Sequence, residues 1–365
     1  MKKQLRALYA LHSIDLFASF LVGIMVPIYF ISLGFSLVQI FTYFIVLSVS
    51  IVLAFFLAGY FATFLGLKAC LIARLIFQFI RLAFLFYLPS SPWLLFPIAL
   101  ANGLQVAFYW FPVHVIFSQS STNKGLGKEV GKFNAYSKIG AVIAPLTGAL
   151  ISASLGFKYL FLSGAVIFLI TIIPLSLLTS RLSRINFHPS VILGMLKKYR
   201  RLFAGMIVQS FSAEAEGVLL PIFIFLTFGS IISAGSIGTF AGLGGILFTL
   251  FVGLMADQYS RKNLLKWGAV IMSLIWLIRY FYANEISYYV LSIVAGFITI
   301  LISIPFDTIG YNVAKSENID EFIVFREIPI ALGRLLIYSL ALAITLKINY
   351  SFLMAAIAHI YYLFL

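Results

Sequence analysis

Apolar residues along this chain gather into twelve long blocks, separated by short joints where most of the charged residues collect, punctuated by Gly, Pro, Ser and Asn as at Pro89-Ser-Ser-Pro92 and Gly229-Ser230. The blocks cover about 7–31, 37–62, 69–89, 92–117, 133–154, 158–179, 202–228, 234–256, 265–283, 287–312, 323–345 and 350–365. A helix needs roughly 20 apolar residues to cross a hydrocarbon core of about 30 Å. The blocks therefore predict an all-α polytopic membrane protein of about 12 transmembrane helices, the last of them short. The longest and most basic joint, 180–201, falls at the midpoint of the chain. It divides the protein into an N-terminal six-helix half, 1–179, and a C-terminal half, 202–365. Within the joint, 188–195 has the pattern of a short helix lying along the membrane surface.

The two halves repeat each other. Gly253-Leu-Met-Ala-Asp257-Gln-Tyr-Ser-Arg261-Lys262, between the eighth and ninth blocks, has a degenerate counterpart in Gly59-Tyr-Phe-Ala-Thr63-Phe-Leu-Gly66-Leu-Lys68, 253 − 59 = 194 residues earlier. The same offset aligns Gly23-Ile-Met-Val-Pro27 with Gly217-Val-Leu-Leu-Pro221. An offset of 193 aligns Pro112-Val-His114 with Pro305-Phe-Asp307. Together these describe a duplicated membrane unit. The loop resembles the signature of the major facilitator superfamily, Gly-x-x-x-Asp-Arg-x-Gly-Arg-Arg/Lys. Gly253, Asp257, Arg261 and Lys262 stand at its positions, while Gln258 replaces an Arg and Ser260 a Gly. The resemblance implies two six-helix halves that rock about a central site, with the first, fourth, seventh and tenth helices lining the cavity.

Charge distribution sets the orientation. With the N-terminus in the cytoplasm, the cytoplasmic joints carry 18 Lys and Arg and the outer joints only Lys158 and Lys347, so both termini are expected inside a plasma membrane. The net charge of +14 is spread over those joints and does not form a nucleic-acid-binding face. A single cysteine, Cys70, excludes an intramolecular disulfide, and the four histidines show no metal-ligand spacing. Gly125-Leu-Gly-Lys128 lacks the phosphate-loop spacing. No cofactor, metal or nucleic-acid partner is expected, nor an enzymatic activity; the partners are a small-molecule solute, protons and lipid, and the working unit is a monomer.

Ionisable residues within a span are costly and usually functional. Ten lie in the blocks: Asp15, Arg74, Arg81, His114, Lys138, Glu214, Glu216, Arg279, Asp307 and Arg334. At about 1.5 Å of rise per residue, Asp15 and Glu216 fall near mid-membrane. Proton coupling is expected at Asp15, Glu216 and Glu214, with Glu216 favoured to face the cavity, since Glu214 points about 200° away on an α-helix. Asn102, Gln105 and Tyr109 share one face of the fourth helix and, with Gln209, are the candidate substrate contacts. Arg74, Gln78 and Arg81 form a stripe on the third helix suited to structural pairing, and depth matches Arg81 to Asp15 or Glu216.

The expected gate comprises Gly253, Asp257, Arg261, Lys262, His114 and Asp307. A His114–Asp307 contact would close the inner side. Asp257 would cap the start of the fifth helix near Lys132–Asn134, and Thr63 would offer only a hydroxyl to the eleventh. The fifth helix carries Gly140-Ala-Val-Ile-Ala144-Pro145-Leu-Thr-Gly148-Ala149, similar to an element of proton-driven exporters in that superfamily. Proton-coupled export of a small organic solute is the leading expectation. Uptake by symport is the nearest alternative, and a non-transporting lipid-handling or sensory protein of the same fold is the alternative from another class.

Overall fold

A computed structural model of the protein describes residues 2–121, 126–178, 185, 187–282, 284–344 and 348–364, with the side chains of 2, 3, 137–141, 250, 256 and 257 outside that description. Twelve helical passes follow one another. The first is Lys2–Gly23 continued by Met25–Ser32; the second, third and fourth are Leu37–Leu65, Leu67–Tyr87 and Leu95–Ser120. The fifth is Leu126–Ala141 with Ala144–Ser154, and the sixth Phe157–Ile170 with Ile172–Leu177. A linker helix, Ser190–Lys198, precedes the seventh pass, Arg200–Phe228. The eighth to eleventh are Ile231–Gln258, Arg261–Phe281, Glu285–Ser316 and Ile319–Ala343, and the twelfth is Tyr350–His359 with a 3-10 tail, Ile360–Phe364.

Among the described residues nine helices are long and apolar enough to cross a membrane, fewer than the twelve blocks suggest. The other three passes fall short for separate reasons. The fifth is interrupted at Val142–Ile143. The eleventh carries Arg326, Glu327 and Arg334 along its apolar stretch, and the twelfth is short.

Joints follow from local chemistry. Ser36 and Gln39 form a reciprocal capping box at the start of the second pass. Gly66, at φ +87°, turns the second pass directly into the third, a backbone angle that side-chain-bearing residues avoid. In the fifth pass Pro145 lacks an N–H and stops the helical ladder from continuing unbroken. The freed amide of Leu146 donates to Thr239 Oγ1 of the eighth pass at 3.2 Å.

That contact belongs to a long seam between the halves. Gly235, Gly238 and Gly242 of the eighth pass lie against Ala149, Pro145 and Val142 of the fifth. At the end of the bundle that carries the linker, Gly253 packs on Gly127 and Gly131. Small residues let two helices approach to backbone contact, where dispersion and packing hold them together in lipid. The second seam joins the second and eleventh passes, where Phe44 stacks on Tyr338 with ring centroids 4.7 Å apart.

The outer surface is apolar. Leu53, Ile76, Leu169, Ile173 and Leu247 are exposed, an arrangement stable against hydrocarbon and unfavourable against water. Trp93 and Trp267 are exposed near the ends of their passes, at the level where indole rings settle in headgroups.

Candidate functional site

Three carboxylate–arginine pairs join one helix to another in the interior, two of them linking the first and third helices of a half. Asp15 of the first pass pairs with Arg74 of the third, both side chains about 97% buried (2% and 3% exposed). Glu216 of the seventh pass pairs with Arg279 of the ninth through two hydrogen bonds of 2.5 and 3.0 Å. Each half thus locks the acid of its first helix to an arginine of its third. Both arginines also lie over aromatic faces, Arg74 at 5.0 Å from Tyr109 and 4.7 Å from Phe168, Arg279 at 4.7 Å from Trp276. Cation–π contact and the ion pair together replace the hydration that the guanidinium lost. The expected match of Arg81 to Asp15 or Glu216 is corrected here, because Arg74 and Arg279 already occupy those carboxylates.

The third pair joins different elements. Glu214 accepts from Arg334 Nε at 2.9 Å and from the Tyr338 hydroxyl, both on the eleventh pass. The backbone widens into a π-helical stretch, Ala215–Leu219, just after it, a distortion that often accompanies functional sites. Glu214 and Glu216 therefore face different neighbours, as their spacing requires. It is Glu214, however, whose partner Tyr338 touches the opposite half through Phe44. Glu216 turns towards the ninth pass.

The fourth pass contributes polar side chains to two clusters. Tyr109 meets His12 Nδ1 at 2.6 Å and lies in hydrogen-bond reach of Asp15. Gln105 donates to Asn102 Oδ1 at 2.8 Å, and Asn102 donates to the Tyr43 hydroxyl at 3.3 Å. The structure brings Asn102 and Gln105 together, while Tyr109 joins a separate cluster with the first pass. Gln209, in the other half, donates to Asp307 Oδ1 at 3.4 Å. Both line a small pocket with Met206, Tyr311 and Arg326.

At the linker end the halves are closed against each other. His114 bonds the Tyr311 hydroxyl at 2.6 Å, one helical turn beyond Asp307, so the cross-half hydrogen bond of His114 runs to a tyrosine. Lys315 Nζ donates to the Ser121 carbonyl at 2.7 Å. The amide of His188 donates to Glu321 at 2.8 Å, and Lys198 and Tyr199 donate to Glu317. Those two hydrogen bonds, that of Lys198 foremost, hold the Glu317 carboxyl below its ordinary range. Gly253 abuts the first turns of the fifth pass, while the side chain of Asp257 one turn on lies outside the described residues, as does that of Lys138. Arg261 and Lys262 open the ninth pass, Lys262 exposed. The Thr63 hydroxyl donates to the Gly59 carbonyl of its own helix at 3.1 Å, and Phe187 of the linker lies over Gly59. Replacing Tyr311 by Phe is expected to cost the closed state about 1–3 kcal/mol, the cost of leaving buried His114 without a partner. Spin-label distances between the fourth and tenth passes would then broaden toward longer values.

Sequence reasoning passes over Tyr43, Tyr311, Tyr338 and Glu327. The chain holds 19 tyrosines, so no pattern marks these three, and Glu327 sits at the edge of its block beside Arg326.

A duplicated helical bundle with ion pairs along its central helices has the architecture of a polytopic membrane carrier. The family model described as Major Facilitator Superfamily matches residues 8–194, and the chain belongs to that superfamily of membrane transporters. It is 25% identical over 211 residues to the proton-coupled antiporter flippase LtaA of Staphylococcus saprophyticus, a match covering 56% of this chain and 52% of that protein. The chain thus spans about half the length of the curated relative it matches. The fold is similar to the human organic anion transporter MFSD10 (TETRAN), with TM-score 0.73 and 13% identity over 100% of this chain and 98% of that one. It is likewise similar to the E. coli fucose:proton symporter FucP, with TM-score 0.70 and 16% identity over 98% and 96% of the chains.

Proposed function

We propose that the protein is a proton-coupled exporter of a small organic solute in the plasma membrane, with both termini and the linker end cytoplasmic. The observation that carries this reading is the Glu214–Arg334–Tyr338 cluster at the seam of the halves. A carboxylate there can trade its arginine for a proton, and the change is felt at once by the ring that packs on Phe44. Asp15 is buried and Glu216 partly exposed, but each is paired within its own half, so we assign proton exchange first to Glu214 and the other two to sustaining the geometry of each half. Gln209 and Asp307 in the pocket, with Asn102, Gln105 and Tyr109 opposite, supply polar contacts to the solute. The fifth-helix element and the antiporter among the relatives favour export over uptake.

The coupling ion and direction are testable together. Proteoliposomes of the purified protein carrying an internal pH-sensitive dye should show proton movement driven by a solute gradient. Glu214→Gln should reduce that proton flux by more than tenfold while solute-exchange binding persists. Solute flux with no proton movement in the wild type would refute coupling. Proton flux that survives Glu214→Gln and disappears with Asp15→Asn would move the exchanging group to the first pass. The gate residues Gly253, Asp257, Arg261, Lys262, His114 and Asp307 belong to the same reading: they latch the cytoplasmic side while the site faces out.

A further inference from the structure

Four arginines of the interior have an acid beside them: Arg74 has Asp15, Arg279 has Glu216, Arg334 has Glu214 and Arg326 has Glu327. Arg81 has none among the described residues. It is 6% exposed. Its contact is the neutral hydroxyl of Tyr43, the charge that bears on it is the like charge of Arg74, and its Nε has no hydrogen-bond partner. One turn earlier on the same stripe lies Gln78, 0% exposed, with both amide atoms unpartnered. A buried cation that lacks a counter-charge is among the most unfavourable arrangements a fold can hold, and unsatisfied buried donors call for an explanation.

The donors converge. Tyr43 already accepts from Asn102 at 3.3 Å and lies in hydrogen-bond reach of Arg81, which leaves its own proton to donate. Arg81 Nε–H, the Gln78 amide N–H and the Tyr43 hydroxyl are donors that carry no negative partner, with the neutral Gln78 Oε1 the free acceptor beside them, and an ionised carboxylate offers about four lone-pair sites and the missing charge. Around this set the walls are aromatic. Tyr43 meets Phe30 and Phe44 edge-on, with centroids 5.0 and 5.1 Å away, and Phe44 continues to Tyr338 at the seam. Such walls suit an apolar organic body and contribute nothing to an inorganic ion.

We propose that Arg81, with Tyr43 and Gln78, seats the acidic group of the transported solute, making this carrier selective for organic monoanions with an apolar body. The proposal rests on the transporter reading for the solute's route in. Its test needs no gradient, so a failure of binding here is separable from a failure of proton flux. The purified full-length protein in lipid nanodiscs is titrated with radiolabelled benzoate at constant ionic strength, with benzamide as the neutral isostere and chloride as the competing inorganic ion.

Saturable benzoate binding is expected, at least tenfold tighter than benzamide. Arg81→Gln should weaken it by tenfold or more, and Arg81→Lys, which keeps the charge and loses the fork, by less. Arg81→Gln should also melt no lower than the wild type, because it removes an unpaired charge; that result certifies that lost binding is not lost folding. Absence of saturable benzoate binding in the wild type, equal binding of benzamide, or unchanged binding in Arg81→Gln overturns the proposal. Full displacement of benzoate by equimolar chloride also overturns it, by making an inorganic ion the occupant.

Discussion

Asp15→Asn is expected to destabilise the bundle by about 3–5 kcal/mol, because it strands Arg74 as a buried charge without its partner. The cyclic logic is more informative than the single change. Removing Arg74 as well, in Asp15→Asn with Arg74→Met, takes away the stranded charge and should recover most of the loss, since apolar replacements of buried ion pairs are often neutral. Glu216→Gln should lower stability in the same way by stranding Arg279, whose side chain is 0% exposed. Its loss should be the smaller of the two. Glu216 is 21% exposed, so water reaches the vacated side, and Arg279 keeps a hydrogen bond of 3.0 Å to Ser292. Thermal unfolding of the three variants beside the wild type in one detergent, followed by intrinsic fluorescence, checks the order. An Asp15→Asn protein that melts with the wild type, or a double variant no better than the single, would show that the pair is not what holds the first pass to the third.

The two pairs show how far a sequence can be read in this protein. The passes are legible because lipid imposes one demand on every spanning residue, and a run of Leu, Ile and Phe satisfies it without reference to the rest of the fold. Asp15 and Glu216 are legible for the converse reason: a charge inside such a run is too costly to be incidental. Their partners are not. Depth matches Arg81 to Asp15 as well as it matches Arg74, and the choice depends on which face of the third helix meets the first, a packing angle that no single helix encodes. The same limit hid Tyr338 and the π-helical turn after Glu214, which decide that Glu214, and not Glu216, lies at the seam. The small residues of the fifth helix stand out in the sequence, whereas the glycines of the eighth that receive them, Gly235, Gly238 and Gly242, gain meaning only once the two helices lie together.

Gly253→Val is expected to open the linker end of the bundle, and the loop motif supplies the reason. A Cβ on Gly253 would lie 3.1 Å from the Gly127 carbonyl oxygen and 3.2 Å from the Gly131 Cα. These are backbone atoms of a helix start, which cannot swing aside as a long side chain would. Alanine asks that helix to give by a few tenths of an ångström; the branched methyls of valine require the passes to separate. Overpacking of this kind costs about 1–3 kcal/mol, and it is charged only to the state in which the fifth and eighth passes touch. The population open at the linker end should therefore rise by roughly 5- to 150-fold, at 1.4 kcal/mol for each factor of ten. Spin labels on the exposed Lys132 and Lys262 would report it as a shift to longer distances in Gly253→Val, a smaller one in Gly253→Ala, and a melting temperature close to that of the wild type. Gly131→Val should reproduce the shift from the other side of the contact, because an added Cβ there meets Gly253 Cα at 3.1 Å. Unchanged distances in both variants would mean that this crossing is not the latch, and that the closed state is held by the His114–Tyr311 and Lys315–Ser121 bonds alone.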